Sequence, residues 1–499
     1  MNTMKTHKYL SLLLALLLSA SCSEDFFNVP TTKSLTADDA RKAAEADPSK
    51  VALFVDATYN MLVQTDWNDS YEDAFGYMAI LHATDMMTED IVMATLYVFD
   101  SDYLHDNREW TYHRTEVTWQ HFYTVISNIN NALSIIPTES TSNDMRAVRG
   151  QALALRAFSY FYLIQLYQHV YPVTESGDRP GVPLYYASNE EKKSITGRAS
   201  VGKILAQIEE DLTAAIDNLK DWTRASKNQI DYAVANGLLA RYYLLTGQWD
   251  KAAGAAQEAR KGYSVMPATG IFDGFMDINN TEWMWGFDHN AETTTLLESF
   301  FSHMSNLADG YAGLNYAPRL IDRRLYESIP DSDARKQWFQ TNPYSITPAI
   351  TPAKDATAWQ WPYANLKFGH TGDFTMDYLY MRASEMVLIE AEALAHQNKG
   401  AEAATVLKEL LSQRDPGWNA ASVSIDEVWR QRRIELWGEG FAMFDLKRLN
   451  KGIDRNYGGS NHYVSAKLTI PAGDKRWIYR IPQSEIQENP DIPEADNNK

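Results

Sequence analysis

Cys22 is the one thiol in this 499-residue chain, and the residues before it define what it could do. Lys5 and Lys8 precede the apolar run Leu10–Leu18, interrupted only by Ser11, and the small residues Ser19, Ala20 and Ser21 follow. A cationic start, a short apolar core and a small-residue cleavage region make a secretory signal. The run is too short for a stable transmembrane helix, which needs about 20 residues. A cysteine directly after that region suits acylation of a mature N-terminus. Residues 1–21 are therefore expected to be a lipoprotein signal peptide and residues 22–34 a lipidated tether. The alternative is an ordinary signal peptide with an incidental cysteine. Lipoboxes usually carry Leu three residues before Cys; here Ser19 holds that place and Leu18 lies one further out.

A second chemistry needs no nucleophile. A flat aromatic ring can stack on an apolar face of a ligand, while polar neighbours bond the ligand's polar groups. Trp67, Tyr71, Tyr97, Tyr103, Tyr311, Tyr316, Trp338, Trp359 and Trp361 stand in irregular sequence flanked by Asp, Asn, Arg and Gln. As a set they are the expected ligand platform, drawn from residues 66–112 and 296–363. The competing role is loop anchoring, which Tyr and Trp also perform. Trp283 and Trp285 share one face of a strand and are expected in the core. Trp119, Trp222, Trp249, Trp429 and Trp437 fall on expected helices and read as packing.

Catalytic patterns are thin. There is no HExxH, GxSxG or GxxxxGK, and a CxxC is impossible with one cysteine. Ser200 and Lys203 fit SxxK formally but read as a helix N-cap and first turn. Carboxylate pairs for glycoside hydrolysis occur by chance among 65 acids, and nothing selects one. The acidic loops at 69–73 and 100–106 could hold Ca²⁺ yet lack EF-hand spacing, so no cofactor is expected and a structural Ca²⁺ stays open without being derivable.

Net charge is −19, and −21 once Lys5 and Lys8 leave with the signal. That disfavours nucleic acid, whose phosphates need a basic surface. A lone cysteine cannot form an internal disulfide, so stability must come from core burial. Aromatic content is 12 %, with 14 Trp and 28 Tyr, which must be core or binding surface.

The elements positioning these residues are mainly helical. Apolar spacing near 3.6 predicts helices over 37–64, 117–136, 145–169, 201–220, 231–246 and 249–262. Residues 238–260 and 382–414 each resemble a tetratricopeptide pair, turning at Gly247 and Gly400. Residues 425–450 add one or two helices, with a break at Gly438 and Gly440. Between the helical parts, residues 264–375 are rich in Gly, Pro, Asn, Asp and aromatics, with short strands plausible at 282–287 and 365–369. Residues 66–112 form a second aromatic, weakly periodic segment. The expected fold is mostly α: a tetratricopeptide-like helix-pair scaffold at 35–263 and 376–499, with a loop-rich, aromatic-rich insert at 264–375.

Five stretches resemble one family. SCSEDFFNVPT (21–31) is similar to the lipidated N-terminus of the SusD/RagB family of Bacteroidetes. ALALRAFSYFYLIQLYQHVYP (152–172) resembles its long helix, and RASEMVLIEAEALA (382–395) its RxAEvyLIyAEAL helix. WRQRRIELWGEGFAMFDLKR (429–448) resembles its ERRxELxFEGxRwFDLxR segment, and IPQSEIQENPDI (481–492) its closing motif. Gln431 replaces a usual Glu, and Gln168-His169 a usual Gly-Asp. The resemblance implies a SusD-like domain over 35–499, anchored at the outer membrane through Cys22 and exposed on the surface. It implies a non-enzymatic binder that hands an oligosaccharide to a SusC-like TonB-dependent transporter. Peptide capture, as in the RagB branch, is the alternative; a surface glycoside hydrolase and a pure helical-repeat scaffold are the others. The charged motif residues, from Arg382, Glu385, Glu390 and Glu392 to Arg432, Arg433, Glu435, Glu439, Asp445 and Arg448, are expected to form a structural network rather than the site.

Overall fold

The computed structural model describes residues 42, 47–65 and 71–499. The signal peptide, Cys22, the tether to residue 34, most of the helix start expected from 37, and Trp67 lie outside the described residues.

Helices dominate. We label them α1 (Pro48–Met61), α2 (Tyr77–Met86), α3 (His113–Ile135), α4 (Asn143–Tyr167), α5 (Val201–Leu219), α6 (Tyr232–Thr246), α7 (Trp249–Ala259), α8 (Ala383–His396), α9 (Gly400–Leu411), α10 (Ile425–Glu435) and α11 (Ala442–Arg448). Packing follows chain order: α1 on α3, α3 on α4, α4 on α5, then α5 to α9 in sequence, with α10 returning against α8. This is the expected stacking of helix pairs. Sequence explains the boundaries. Ser200 Oγ accepts from Lys203 N and caps α5, and Asp231 Oδ1 caps α6 by accepting from Val234 N. Gly247, at φ 70°, ends α6. The second pair turns two residues earlier than expected: Asn398 takes the left-handed conformation at φ 60°, and Gly400 opens α9.

The stripe Val201, Ile204, Leu205, Ile208, Leu212, Ala215 and Leu219 buries one face of α5. Helix α4 is buried almost all round, with Leu155, Phe158 and Leu163 at its centre. A smaller core cluster joins Leu388, Leu394, Leu407, Leu410 and Leu411 between α8 and α9.

Two expectations change here. The weakly periodic segment 66–112 contains α2, and every residue of that helix is buried. An element buried on all sides shows no apolar stripe, so periodicity missed it. The strand expected at 282–287 forms as β2 (Trp283–Phe287), antiparallel to β4 (Tyr378–Arg382). The strand expected at 365–369 does not form. Single bridges, Phe339 with Asn365 and Leu320 with Ala364, stand in its place.

The charged motif residues pair in the interior. Arg382 donates to Glu282, Glu435 and Glu439, while Arg335 and Arg414 also bind Glu435. Arg241 pairs with Glu385, Arg260 with Glu390, Arg448 with Glu392 and Asp445, and Arg433 with Asp90. Burial pushes the Glu435 carboxyl up, but Arg414, Arg382 and Arg335 outweigh it and hold it well below the usual range. This lattice ties β4, α8, α10 and the turn after α10 into one unit.

Candidate functional site

A short sheet builds the site. β1 (Ile91–Met93) runs antiparallel to β3 (Arg319–Ile321), with Ile91 opposite Ile321 and Met93 opposite Arg319. The pairing continues outward, where Ala94 N donates to Pro318 O at 3.2 Å. The chain leaving β1 therefore runs beside the chain entering β3. Tyr97 lies on the first and Tyr311 and Tyr316 on the second. Their ring centroids are 5.2 Å apart for Tyr97 and Tyr311, 5.7 Å for Tyr97 and Tyr316, and 6.1 Å for Tyr311 and Tyr316. Such separations fit interacting aromatic pairs.

The turn 310–317 is tightly made. Leu314 N donates to Gly310 O, Tyr316 N to Tyr311 O, and Asn315 sits at φ 66°. Gly313 is required by space: a Cβ there would lie 1.9 Å from Ala308 O. Its carbonyl accepts from Thr357 N at 2.9 Å and Ala358 N at 3.1 Å, which fastens the long Pro-punctuated loop to the turn. Trp361 Nε1 then donates to Asn315 Oδ1 at 2.7 Å, and Asn315 Nδ2 donates to Thr357 Oγ1. Four sequence-selected aromatics, Tyr97, Tyr311, Tyr316 and Trp361, thus share one neighbourhood.

Polar groups frame it. Tyr311 OH donates to Glu72 Oε1 at 2.8 Å. Burial first, and the Glu72 carboxylate next, hold the Tyr311 phenol far above its ordinary value, so it stays protonated. His303 stacks on Tyr311 at 4.9 Å and donates through Nε2 to Glu72 O at 2.8 Å. Burial, aided by Arg319, lowers His303 to about 3, which keeps the imidazole neutral. Next to Glu72, the exposed Tyr71 stacks on His113 at 3.8 Å.

Exposure sorts the candidates. Tyr316 is 53 % exposed, Tyr71 45 % and Trp361 41 %. Tyr97 is half-buried, and Tyr311 is mostly buried and forms a wall. Trp359 is half-buried and meets the exposed Tyr344 edge to face at 6.1 Å. Two candidates are corrected. Tyr103 and Trp338 are both 0 % exposed and cannot stack on a ligand. The Tyr103 hydroxyl pairs with His462 Nδ1 at 2.6 Å, under the Arg455 guanidinium. Trp338 Nε1 donates to Ile271 O at 2.7 Å, and Lys367 Nζ lies 4.7 Å from its ring centroid. Both rings anchor loops from within. Trp283 and Trp285 lie in the core as expected, fully buried on β2.

Sequence reasoning missed Tyr344, Glu72 and Asn315. Tyr344 stood in the long loop with only the signal of an aromatic among Pro, Ser and Thr. Glu72 and Asn315 are polar partners whose role appears only once the rings are placed. The loop bearing Tyr344 is ordered by the buried Gln340, whose Oε1 accepts from Ser345 N and Ile346 N. The acidic loop at 100–106 is engaged internally, with Asp102 bound to Arg114 and Asn107. Among the described residues no cluster of three or more His, Cys, Asp or Glu could hold a metal ion. No helix among them is long and apolar enough to cross a membrane.

Comparisons with known proteins converge. A family model described as starch-binding and associating with the outer membrane matches residues 43–244. A second, the SusD family model, matches residues 331–497. A SusD-like protein, P2, of Formosa agariphila is 24 % identical over 380 residues, spanning 67 % of this chain and 71 % of that protein. A crystal structure of a SusD-like carbohydrate binding protein from Bacteroides vulgatus is 26 % identical. It superposes with a TM-score of 0.76 over 90 % of this chain and 98 % of the other. Surface glycan-binding protein A from Bacteroides uniformis shares the fold at a TM-score of 0.64 and 19 % identity, covering 90 % of this chain and 99 % of the other.

Proposed function

Because this chain belongs to the SusD/RagB family, we propose that it is a cell-surface lipoprotein that captures an oligosaccharide and delivers it, uncleaved, to a SusC-like TonB-dependent transporter. The observation carrying the glycan reading is the group of Tyr97, Tyr311, Tyr316 and Trp361, with two exposed rings and a polar frame of Glu72 and Asn315. Exposed rings offer stacking faces to sugar C–H groups, and flanking amides and carboxylates suit hydroxyls. Tyr71 extends the same surface, and Trp359 with Tyr344 supplies a second aromatic pair. The names of the vulgatus and uniformis proteins accord with this reading.

Anchoring through Cys22 completes the proposal. One acyl chain holds a protein only marginally, since each buried CH₂ contributes about 0.8 kcal/mol, so two or three chains are expected. Residues 264–375 act as the insert that presents the site on the helical frame. Glycan affinity on the order of micromolar to millimolar, about −8 to −4 kcal/mol, suffices above a transporter and allows release.

Calorimetry with neutral plant, host and microbial glycans, paired with a reducing-end assay, tests the proposal. Saturable heat without new reducing ends is expected. Binding by a peptide library and no glycan would replace it with peptide capture; released reducing ends from pure protein would make it a hydrolase.

A further inference from the structure

A cavity of about 300 Å³ lies where the turn after α4 meets the end of α11, and it shares no residue with the tyrosine site. That volume is at the small end of ligand pockets. Lys447, Arg179 and His169 line it together with Asn450, Tyr171 and Trp477, and no carboxylate does. The chain carries a net charge of −19, yet the lining of this cavity holds cations and no acid.

The Lys447 ammonium turns onto backbone, donating to Gln165 O and to Trp477 O at 3.0 Å. Two carbonyl dipoles take two of its three protons and leave the charge uncompensated. Burial alone draws Lys447 down to about 7, with no neighbouring carboxylate to offset it. Arg179 donates one N–H to His169 O at 3.0 Å. Burial, then Lys447, then Arg179 lower His169 to about 4, so the imidazole adds no charge. Two acids beside the lining are engaged elsewhere: Asp474 holds Arg476 through both oxygens, and Asp426 holds Lys451 on the rim. A buried ammonium is costly unless an anion pairs with it.

We propose that this cavity binds a small oxyanion, a carboxylate or sulfate on a unit no larger than a single sugar, whose charge pairs with Lys447 and Arg179. Asn450 and the Tyr171 and Trp477 rings border the rest of the ligand. The site is independent of the glycan platform, so failure of either proposal leaves the other standing.

The test is calorimetry on the purified protein with sodium glucuronate, sodium sulfate and, as a neutral control, glucose. Either anion is expected to bind saturably. Binding should weaken at least tenfold in Arg179→Gln and vanish in Lys447→Met, with glucose silent at this site. Glucuronate alone would point to a sugar acid; both anions would point to a simple oxyanion. Arg179 is partly exposed, so its variant keeps the test valid if Lys447→Met does not fold, as checked by circular dichroism. No saturable anion binding, or equal affinity in Arg179→Gln, would overturn the proposal.

Discussion

The Trp361 indole donates to Asn315 Oδ1 at 2.7 Å, so a ring from the long loop is pinned to the turn that carries Tyr316. The bond uses the polar edge of the indole while the residue stays 41 % exposed. The same turn receives Thr357 N and Ala358 N at Gly313 O. Two segments far apart in sequence therefore present their aromatic residues as one preorganised surface, which lowers the ordering cost of binding.

Gly313→Ala tests that preorganisation. The new methyl would meet Ala308 O at 1.9 Å, so the turn must shift. The expected result is glycan affinity reduced at least tenfold, about 1.4 kcal/mol, with the bulk of the helical signal retained in circular dichroism. Unchanged affinity would separate the turn from the site.

Trp338 and Tyr103 should behave as core residues. Trp338→Ala is expected to cost about 3–5 kcal/mol in denaturant unfolding, the range for deleting a buried large aromatic. A variant of unaltered stability but weakened glycan binding would return Trp338 to the platform.

The motif charges should matter to folding rather than ligand. Glu435 accepts from three arginines in the interior. Glu435→Ala strands them, and removing one partner of a buried network costs about 3–5 kcal/mol. Chemical denaturation measures this. A fully stable variant would contradict the packing described.

Asp85 gives a pH signature. Burial pushes its carboxyl up to about 8, against the N–H groups of Gly440 and Ala442 that donate to it. A folded-state value raised above the unfolded one means stability fully present below about pH 4 and lost as pH rises through about 8. The stability of wild type relative to Asp85→Asn should therefore fall between pH 4 and 8. A flat difference, or a rise, would exclude this role for Asp85.

Much of the scaffold was legible because its helices are amphipathic or capped. The α5 stripe, the Ser200 and Asp231 caps and the Gly247 stop are local signals that tertiary packing did not override. Helix α2 was illegible for the opposite reason: buried on every side, it has no polar face to set a period. At the site, aromatics in polar sequence pointed to Tyr316 and Trp361, but the same pattern describes Tyr103 and Trp338. What separates them is long-range. Tyr103 is claimed by Arg455 and His462, and Trp338 by Ile271 and Lys367, from segments no local window contains. Glu72 and Asn315 carried no signal of their own until the β1–β3 pairing put the tyrosines beside them.

The most direct test of the glycan platform is calorimetry of the best-binding neutral glycan with wild type, Tyr316→Ala and Trp361→Ala. Each substitution should weaken binding by about 1–3 kcal/mol, roughly fivefold to 150-fold, with little change in melting temperature or salt dependence. Wild-type affinity in both stable variants would show that the glycan binds elsewhere and would contradict the assignment of this surface as the platform.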